Sequence, residues 1–309
     1  MTCLGLTVYH WGRDHQNQLV KVWLGPLATE LTQTRVLQNL WFDRFDVRGP
    51  HLSIVFGLHS DRRASTSAHV AASLTAFLAA NPSRESYSPG ELESLHLACR
   101  GKMQCAADRL PGLAENNTYE IYEHPDDDYP FSLGRGYTAD LALWSVADTI
   151  TRANIAELAN VRPAPFRAVI RLVAQLHRAL RSAGFDASDF WGHHSKSLVL
   201  PLAHRLETEP AVVLAELPTW IGEANCARFE RVFAAVTEPG ESSLRLVELA
   251  ARDTSEGGWT LLRGIVHSLI LQLGVPVSLE IPLILFAWWR SLAEEIRATS
   301  VAAPMEVRV

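Results

Sequence analysis

Short hydrophobic stretches of strand type lie in the first 140 residues, and helical periodicity dominates the rest of the chain. Residues 4–11 and 118–122 have the pattern of strands, and residues 41–59 (WFDRFDVRGPHLSIVFGLH) predict two strands around a turn at residues 47–50. Residues 17–32 have a helical pattern that Pro26 is expected to bend or break. Residues 64–80 predict a helix that ends at Asn81 and Pro82.

Residues 83–116 are polar and irregular and predict a short helical excursion and loops, and residues 124–136 predict a loop. Helices are then predicted over 139–159, 164–183, 195–207, 223–236, 243–252, 259–273 and 283–298. This order predicts an α+β fold, in which a mixed or antiparallel sheet in the N-terminal half packs with a helix-rich C-terminal half. We expect one catalytic domain over residues 1–309, with a sheet-containing part at 1–138 and a mainly helical part at 139–309.

Residues 264–289 are the most apolar run of the chain. Gly274, Pro276, Glu280 and Pro282 break this run into pieces of about ten residues, whereas a membrane-spanning helix needs about 20. The pattern therefore predicts two buried elements of a soluble protein and no membrane association.

Composition and charge narrow the class of protein. The chain is 48% hydrophobic and 20% charged, and its net charge of −6 argues against a nucleic-acid-binding protein. Its four cysteines show no metal-binding spacing, and its first 15 residues lack the apolar core of a signal peptide. We therefore expect a cytoplasmic protein with reduced thiols.

One predicted helix, residues 164–183, carries arginines on one side and apolar residues on the other. At 100° per residue the arginines fall within a stripe about 80° wide. They are either a solvated face over the core or a docking surface for an acidic partner, and this stripe comprises Arg167, Arg171, Arg178 and Arg181.

Motifs for phosphate, dinucleotide or zinc binding and for serine hydrolysis are absent from the sequence. Three weak metal candidates remain, namely His193 with His194, His204 with Glu207, and the triplet Asp126–Asp128, and for each we favour a role without metal. Glu280 lies in an apolar segment, where a carboxyl is either at the surface or in an apolar pocket that raises its pKa. His267 and Ser268 are polar residues of a similar segment, for which the pattern favours core packing over a functional role.

The hairpin at residues 41–59 resembles a motif of a known family. The elimination domain of lanthipeptide-type dehydratases and the stand-alone thiopeptide relatives have a pattern similar to WFFxRYxDxGPHLRLRF. This chain matches it at Trp41, Phe42, Arg44, Phe45, Gly49, Pro50, His51, Leu52 and Phe56. A second family segment, YxxExERYGG, is matched loosely by Tyr119, Tyr122 and Tyr129. The C-terminal family segment is a helix with a histidine and an Asn-Arg pair, of which this chain retains at most Arg290.

The departures from this pattern concern charged residues. The resemblance implies that family members with glutamate-elimination activity hold the leaving carboxylate with arginines, because Arg–carboxylate pairs are strong and oriented. Here the Arg-x-Arg of the hairpin is Ser53 and Val55, and the arginine of the second motif is replaced by Asp128. The C-terminal histidine falls among residues 286–289, FAWW.

A branch of the family, the pyridine synthases of thiopeptide biosynthesis, has the same kind of change. The resemblance to it implies a formal [4+2] cycloaddition between two dehydroalanines of an azole-containing precursor peptide, then loss of water and of the leader peptide. The substrate supplies all reacting atoms, so we expect no cofactor and no metal. The alternatives are a glutamate-elimination component of a split dehydratase and a non-catalytic scaffold that binds the precursor peptide.

Candidate residues follow from the resemblance together with the pattern of polar positions. His51 and Ser53 share one face of a strand by alternation, and Ser53 occupies a former arginine position. The expected catalytic residues are Ser53, His51, Glu280, Tyr9, His267 and Ser268. The expected substrate- or leader-binding residues are Arg167, Arg171, Arg178, Arg181, Trp289 and Arg290. The expected partner is the dehydrated precursor peptide with its leader, and the sequence leaves the oligomeric state open.

Overall fold

A computed structural model describes most of the chain. The described residues are 2–46, 48–59, 62–92, 113–122, 141–160, 165–205, 223–252, 256–275, 280, 283–288, 290, 291 and 294. The chain divides into two compact units, which we describe separately. Unit 1 comprises residues 1–168 and 249–275, and unit 2 comprises residues 169–248 and 276–309.

Unit 1 contains an antiparallel sheet of four strands in the order β2-β3-β1-β4. The strands are β1 (Thr2–Tyr9), β2 (Leu37–Phe45), β3 (His51–Leu58) and β4 (Thr118–Tyr122). The hairpin and the strand at 118–122 were predicted from the sequence, and β1 begins and ends two residues earlier than expected. The α+β class with an antiparallel sheet in the N-terminal part is confirmed.

The helices of the described chain follow the predicted order. They are α1 (Arg13–Gln18), a π-helix (Leu19–Leu24), α2 (Gly25–Gln33), α3 (Arg63–Ala80), α4 (Leu141–Ala159), α5 (Pro165–Ser182), α6 (Ala187–Arg205), α7 (Glu223–Ala234), α8 (Glu241–Arg252) and α9 (Glu256–Gln272). Residues 283–288 are also helical.

Two helices differ from the sequence-based expectation. Pro26 neither breaks nor ends its helix: it lies in the first turn of α2, directly after the π-helix, where a missing N–H is tolerated. Helix α6 begins at Ala187, eight residues before the predicted start, because Asp186 caps it. The Asp186 Oδ1 atom accepts hydrogen bonds from the backbone N–H groups of Ser188 (2.8 Å) and Asp189 (3.0 Å).

One face of the sheet forms the core of unit 1. Alternate residues of β1, β2 and β3 pack with α2, α3, α4 and the π-helix in one apolar cluster. The strand residues of this cluster are Leu4, Leu6, Val8, Leu37, Leu40, Phe42, Leu52, Ile54, Phe56 and Leu58. The opposite face therefore carries the intervening residues of the same strands, including Ser53.

Among the described residues, no helix is both long and apolar enough to cross a membrane. The apolar run that raised this question includes the C-terminal part of α9, which belongs to unit 1, and residues 283–288 of unit 2.

Candidate active site

The sheet face opposite the core carries a line of polar side chains across all four strands. The pairing register sets Asp43 of β2 opposite Ser53 of β3, Ser53 opposite Thr7 of β1, and Thr7 opposite Glu120 of β4. Residues paired across an antiparallel sheet point to the same face, with Cβ atoms about 5 Å apart. These four residues, which we name the polar row, therefore form a continuous strip of carboxyl and hydroxyl groups.

A pair of hydroxyl groups lies at the centre of this face. The Ser53 Oγ and Tyr122 Oη atoms are 3.3 Å apart. The Tyr122 ring crosses β1 at Gly5, where an added Cβ atom would lie only 1.9 Å from Tyr122 Cε2. Gly5 therefore allows the close approach that brings the phenol to Ser53.

Asp43, at one end of the polar row, is a buried carboxyl, 3% exposed. The Trp41 indole donates a hydrogen bond to its Oδ2 atom at 2.9 Å. Burial raises the pKa of Asp43 to about 7, although side-chain hydrogen bonds from Trp41 and Ser268 and the electrostatic influence of His267 oppose this shift. The carboxyl is therefore able to gain or lose a proton near neutral pH.

Tyr9 and His51 lie one position further along the same face. Their ring centroids are 5.2 Å apart, and both side chains are buried. The His51 Nδ1 atom is 2.9 Å from the Gly49 carbonyl oxygen. Since a carbonyl only accepts hydrogen bonds, Nδ1 carries a proton.

Arg48 connects this second line to the polar row. Its guanidinium lies 5.3 Å from the centroid of the Tyr9 ring and 2.8 Å from Glu120 Oε2. The Tyr9 hydroxyl donates to the same carboxylate oxygen at 3.5 Å. This positive charge is partly neutralised by Glu120 and does not occupy the position of the family's Arg-x-Arg.

Arg44, which the family motif shares, has a structural environment on the other side of β2. Its guanidinium donates to Gln16 Oε1 (3.1 Å), to Asn17 Oδ1 (2.7 Å) and to the Gln272 carbonyl oxygen (3.2 Å with Nη2). Burial lowers its pKa to about 9, and the neighbouring Arg13 contributes to this shift. Arg44 therefore remains charged at neutral pH and joins α1, β2 and α9.

Five of the six expected catalytic residues lie in unit 1, and Glu280 lies in unit 2. Ser53, His51 and Tyr9 share one sheet face, and His267 and Ser268 of α9 lie close to Asp43 on that face. Glu280 is fully buried, 3.8 Å from the Nε2 atom of His194. Glu280 is therefore buried and not at the surface end of its segment, and His194 is its neighbour.

Two of the four arginines in the stripe of α5 form ion pairs, and the other two are exposed. Arg178 and Arg181 both pair with Glu294, and the Arg178 Nε atom donates to the Val236 carbonyl oxygen at 3.2 Å. Arg290 pairs with Glu230 (3.0 Å) and Glu294 (3.3 Å). Arg167 and Arg171 are exposed, and no ion pair involves them among the described residues.

Glu294, which pairs with these arginines, also ends a chain of hydrogen-bonded side chains that includes His177 and Ser291. The Ser291 Oγ atom is 3.1 Å from His177 Nδ1, and His177 Nε2 is 3.3 Å from Glu294 Oε2. Ser291 is 2% exposed, and its hydroxyl donates to the Ala287 carbonyl oxygen of its own helix. This order resembles a nucleophile–base–acid triad, but its hydroxyl has no access to a substrate, so we assign it to packing.

Among the residues of the candidate site that were missed in the sequence, Asp43 and Tyr122 had a signal. Asp43 is set opposite Ser53 by the register of the predicted hairpin, and Tyr122 was present in a loosely matched motif without being assigned a role. Trp289, Asp126–Asp128 and Glu207 lie outside the described residues, as does the side chain of His204.

Structural comparison places the fold with that of two classes of enzyme, thiopeptide pyridine synthases and lantibiotic dehydratases. The structure of the pyridine synthase TbtD from thiomuracin biosynthesis matches with a TM-score of 0.66 at 18% identity, over 95% of this chain and 98% of TbtD. The tRNA-dependent lantibiotic dehydratase MibB from Microbispora sp. 107891 matches with a TM-score of 0.54 at 13% identity. That match covers 96% of this chain and 28% of MibB.

No sequence family and no curated protein matches the chain. The structural matches confirm, at the level of the fold, the resemblance that the hairpin motif indicates.

Proposed function

We propose that this chain is a pyridine synthase of thiopeptide biosynthesis. It would join two dehydroalanines of a leader-bearing, azole-containing precursor peptide in a formal [4+2] cycloaddition, and then remove water and the leader. The observation that carries this proposal is the hydroxyl pair of Ser53 and Tyr122, which stands where the family's elimination enzymes have an arginine. The fold shared with TbtD over nearly the full length of both chains supports it.

A neutral hydroxyl pair suits the first step of this reaction. An amide must become its imidic-acid tautomer, so its oxygen needs a hydrogen-bond donor and its N–H needs an acceptor. A hydroxyl group is both a donor and an acceptor, and two adjacent hydroxyls fill both roles without a charge. The substrate peptide would also be held with its two alkenes in contact, where orientation contributes up to roughly 7–11 kcal/mol.

Removal of a carboxylate leaving group is less well supported by this site. Ser53 and Val55 occupy the positions of the two hairpin arginines, and Arg48 on the same face is already paired with Glu120. A departing glutamate would therefore lack the bidentate guanidinium contacts that orient it.

The leader peptide is proposed to bind the N-terminal half of the arginine stripe. Arg167 and Arg171 are exposed, whereas Arg178 and Arg181 are held by Glu294. A leader with acidic residues in a helical conformation would fit such a face. This restricts the expected leader-binding residues of α5 to two of the four arginines.

The proposal is tested by incubating the purified full chain with a linear peptide that carries two dehydroalanines, azoles and a leader, without added cofactor. Mass spectrometry should detect loss of water and release of the intact leader as an amide. Ser53→Ala and Tyr122→Phe should each lower the rate by about 10²-fold, since positioned proton donors contribute 10²–10⁴-fold. Tyr119→Phe is the matched control, because its hydroxyl lies on the same strand but contacts Thr75 of α3 at 2.9 Å.

Other outcomes identify the alternatives. Unchanged peptide together with measurable leader binding would indicate a scaffold that presents the precursor. Elimination of glutamate from a glutamylated precursor, without cyclisation of the dehydrated peptide, would indicate the elimination component of a split dehydratase.

A further inference from the structure

The polar row contains one buried carboxyl to which the proposed reaction has so far given no role. Asp43 is 3% exposed, and the hydrogen bonds that reach its carboxyl come from the Trp41 indole, which donates to Oδ2 at 2.9 Å, and from the side chain of Ser268. Its Oδ1 atom is buried and has no partner that meets hydrogen-bond geometry among the described residues. A buried carboxylate that serves packing alone is normally paired or fully hydrogen-bonded, because burial of an isolated charge costs several kcal/mol.

The groups that face Asp43 come from three elements. Trp41 is on its own strand, Ser53 faces it from β3, and His267 and Ser268 face it from α9. Among the described residues no lysine or arginine forms an ion pair with the carboxyl, and His267 is the ionisable side chain whose electrostatic influence lowers its pKa. Burial in these surroundings disfavours the charged carboxylate and raises the pKa of Asp43 to about 7.

The position of Asp43 connects it to the hydroxyl pair. Asp43 and Ser53 are paired directly across β2 and β3, so their side chains are neighbours on the same face. The Ser53 hydroxyl rotates about a single bond, and its other neighbour is the Tyr122 hydroxyl at 3.3 Å. Ser53 thus stands between the strand that carries the buried carboxyl and the half-buried phenol, so a proton that moves from Asp43 to Tyr122 would pass by way of Ser53.

We propose that Asp43 is a positioning residue that stores the proton of the site and supplies it through Ser53 and Tyr122 to the oxygen that leaves as water. This inference rests on the proposed pyridine synthase function and adds to it the identity of the essential acid. In this role Asp43 acts on the peptide through the two hydroxyls and does not itself touch it.

The dehydration step then uses one proton from Asp43 and returns one to it. The ring carbon–oxygen bond breaks with its electron pair on oxygen, and that oxygen takes a proton from the nearer hydroxyl and leaves as water. The hydroxyl is reprotonated from Asp43. A ring C–H bond gives its electron pair to a new ring double bond, and the released proton returns to Asp43 by the same hydroxyls.

The test compares the wild-type chain with Asp43→Asn. Asparagine has the same size, and its side-chain oxygen can still accept the hydrogen bond from Trp41, but it cannot exchange a proton at neutral pH. We expect a fall in kcat of about 10²-fold, within the range for positioned proton transfer, with the dissociation constant of the peptide changed less than twofold. Asp186→Asn is the matched control, because asparagine also caps a helix and this site is remote in sequence from the sheet.

The pH profile is the readout that a merely structural role would not change. In the wild-type chain kcat should decrease as the pH rises through about 7, because Asp43 must begin protonated. This limb should be absent from the residual activity of Asp43→Asn. Difference infrared spectroscopy should independently detect a protonated carboxyl band that titrates near neutral pH in the wild-type chain and is missing in the variant.

The possible failures are distinguishable. An active wild-type chain with an unchanged rate and pH profile in Asp43→Asn would overturn the role of Asp43 and leave the proposed function intact. Absence of the titrating band would overturn the inference whatever the activity. A wild-type chain that leaves the peptide unchanged at every pH, with the band present, would overturn the proposed function while supporting Asp43 as the exchangeable proton of this face.

Discussion

Asp43 shows how one residue links stability to the chemistry of the sheet face. Its carboxyl is hydrogen-bonded by Trp41 and covered by α9, and burial raises its pKa from 3.8 to about 7. Between these two pH values the folded chain binds a proton that the unfolded chain has released. The favourable contribution to folding is therefore complete at pH values below 3.8, and it is lost as the pH rises through about 7.

Asp43→Asn tests this linkage by removing the titration. The variant is neutral at all pH values. The free energy of unfolding of the variant minus that of the wild type should therefore be larger at pH 8 than at pH 5, by roughly 2–3 kcal/mol, since each pKa unit corresponds to about 1.4 kcal/mol. Urea unfolding at the two pH values measures the difference. Asp186→Asn should show no comparable pH dependence, and parallel pH dependence of the wild type and Asp43→Asn would contradict the prediction.

His10 is a second buried titrating residue of unit 1, and its effect has the opposite sign. Burial lowers its pKa to about 4, although a 3.1 Å hydrogen bond between its Nδ1 atom and Asn117 Oδ1 opposes the shift. Since the pKa of His10 in the folded chain lies below the ordinary histidine value of 6.5, this contribution to stability is present above about pH 6.5 and is lost as the pH falls through about 4.

His10→Gln should remove this loss, because glutamine does not take up a proton in this range. Relative to the wild type, the variant should gain roughly 2–3 kcal/mol between pH 7 and pH 4. Thermal or urea unfolding over this range measures it. In the wild type, acidification from about pH 7 to pH 4 lowers stability through His10 and raises it through Asp43. The stabilities of the two variants relative to the wild type should therefore change in opposite directions, and a change in the same direction would show that one assignment is wrong.

The residues of the site could be predicted only as far as local pattern reaches. Ser53 and His51 were identified because strand alternation puts them on one face, and the structure confirms that placement. Asp43 was within reach of the same argument, since a turn at residues 47–50 fixes its partner. The neighbour of Glu280 was not, because His194 is 86 residues away and no periodicity relates the two.

At the scale of elements, Arg44 anchors β2 to α1 and α9 through three neutral acceptors. The presence of Arg44 at this position of the hairpin motif is therefore explained by its buried hydrogen bonds and not by binding of a carboxylate. Arg44→Met should destabilise the chain by roughly 2–5 kcal/mol, because each buried acceptor that loses its donor costs about 1–3 kcal/mol.

The matched control for Arg44 is Lys21→Met, which changes an exposed cation of the π-helix in the same way. Urea unfolding should detect a change within about 0.5 kcal/mol for this control. A comparably small effect of Arg44→Met would mean that the guanidinium contributes little beyond the energy that its burial costs.

Helix α5 presents arginines in two different situations, which allows a test of leader binding. The double variant Arg167→Gln and Arg171→Gln should weaken binding of an acidic leader peptide by about 5-fold or more at low salt, with less effect at high salt, because exposed charges are screened. Fluorescence anisotropy of a labelled leader measures the affinity. The fold should be unaffected, since both side chains are exposed.

Arg178→Gln provides the contrast on the same helix. Its guanidinium donates to the Val236 carbonyl oxygen, so its loss should reduce stability more than affinity. Equal weakening of leader binding by both variants, without loss of stability, would indicate that the whole stripe binds the leader.

The elements themselves were predictable where one period of hydrophobicity continues, as in α3, and less so where the hydrogen-bonding pattern changes. The π-helix at Leu19–Leu24 has the same kind of apolar composition as an α-helix, and the bend or break predicted at Pro26 did not indicate it. The start of α6 was missed because the capping residue, Asp186, precedes a stretch with a weak apolar pattern.

At the scale of the whole molecule, the order of strands and helices predicted the α+β class, but not which helices accompany the sheet. Unit 1 takes α9 from a part of the chain more than 200 residues after β2. This membership depends on buried polar contacts, in which Gln272 Nε2 donates to the Phe42 carbonyl oxygen at 2.8 Å. A single glutamine at the end of an apolar helix gave no sign of that role.

Because unit 1 is discontinuous, residues 1–168 alone should not fold cooperatively. They would lose α9, and with it the Gln272 carbonyl oxygen that accepts hydrogen bonds from Arg44 and the side chain that binds Asn154 at 2.9 Å. The Asn154 amide would then lack this partner and the buried guanidinium would keep only its acceptors in α1, at a cost of about 1–3 kcal/mol for each lost hydrogen-bonded group. A chain in which a long flexible linker joins residue 168 to residues 249–275 should regain cooperative urea unfolding and slow amide exchange in β2. The same linked chain with Gln272→Ala should regain less of both. Cooperative folding of residues 1–168 without α9 would show that the sheet and its apolar face suffice, and that the polar contacts of Gln272 only refine a fold that forms without them.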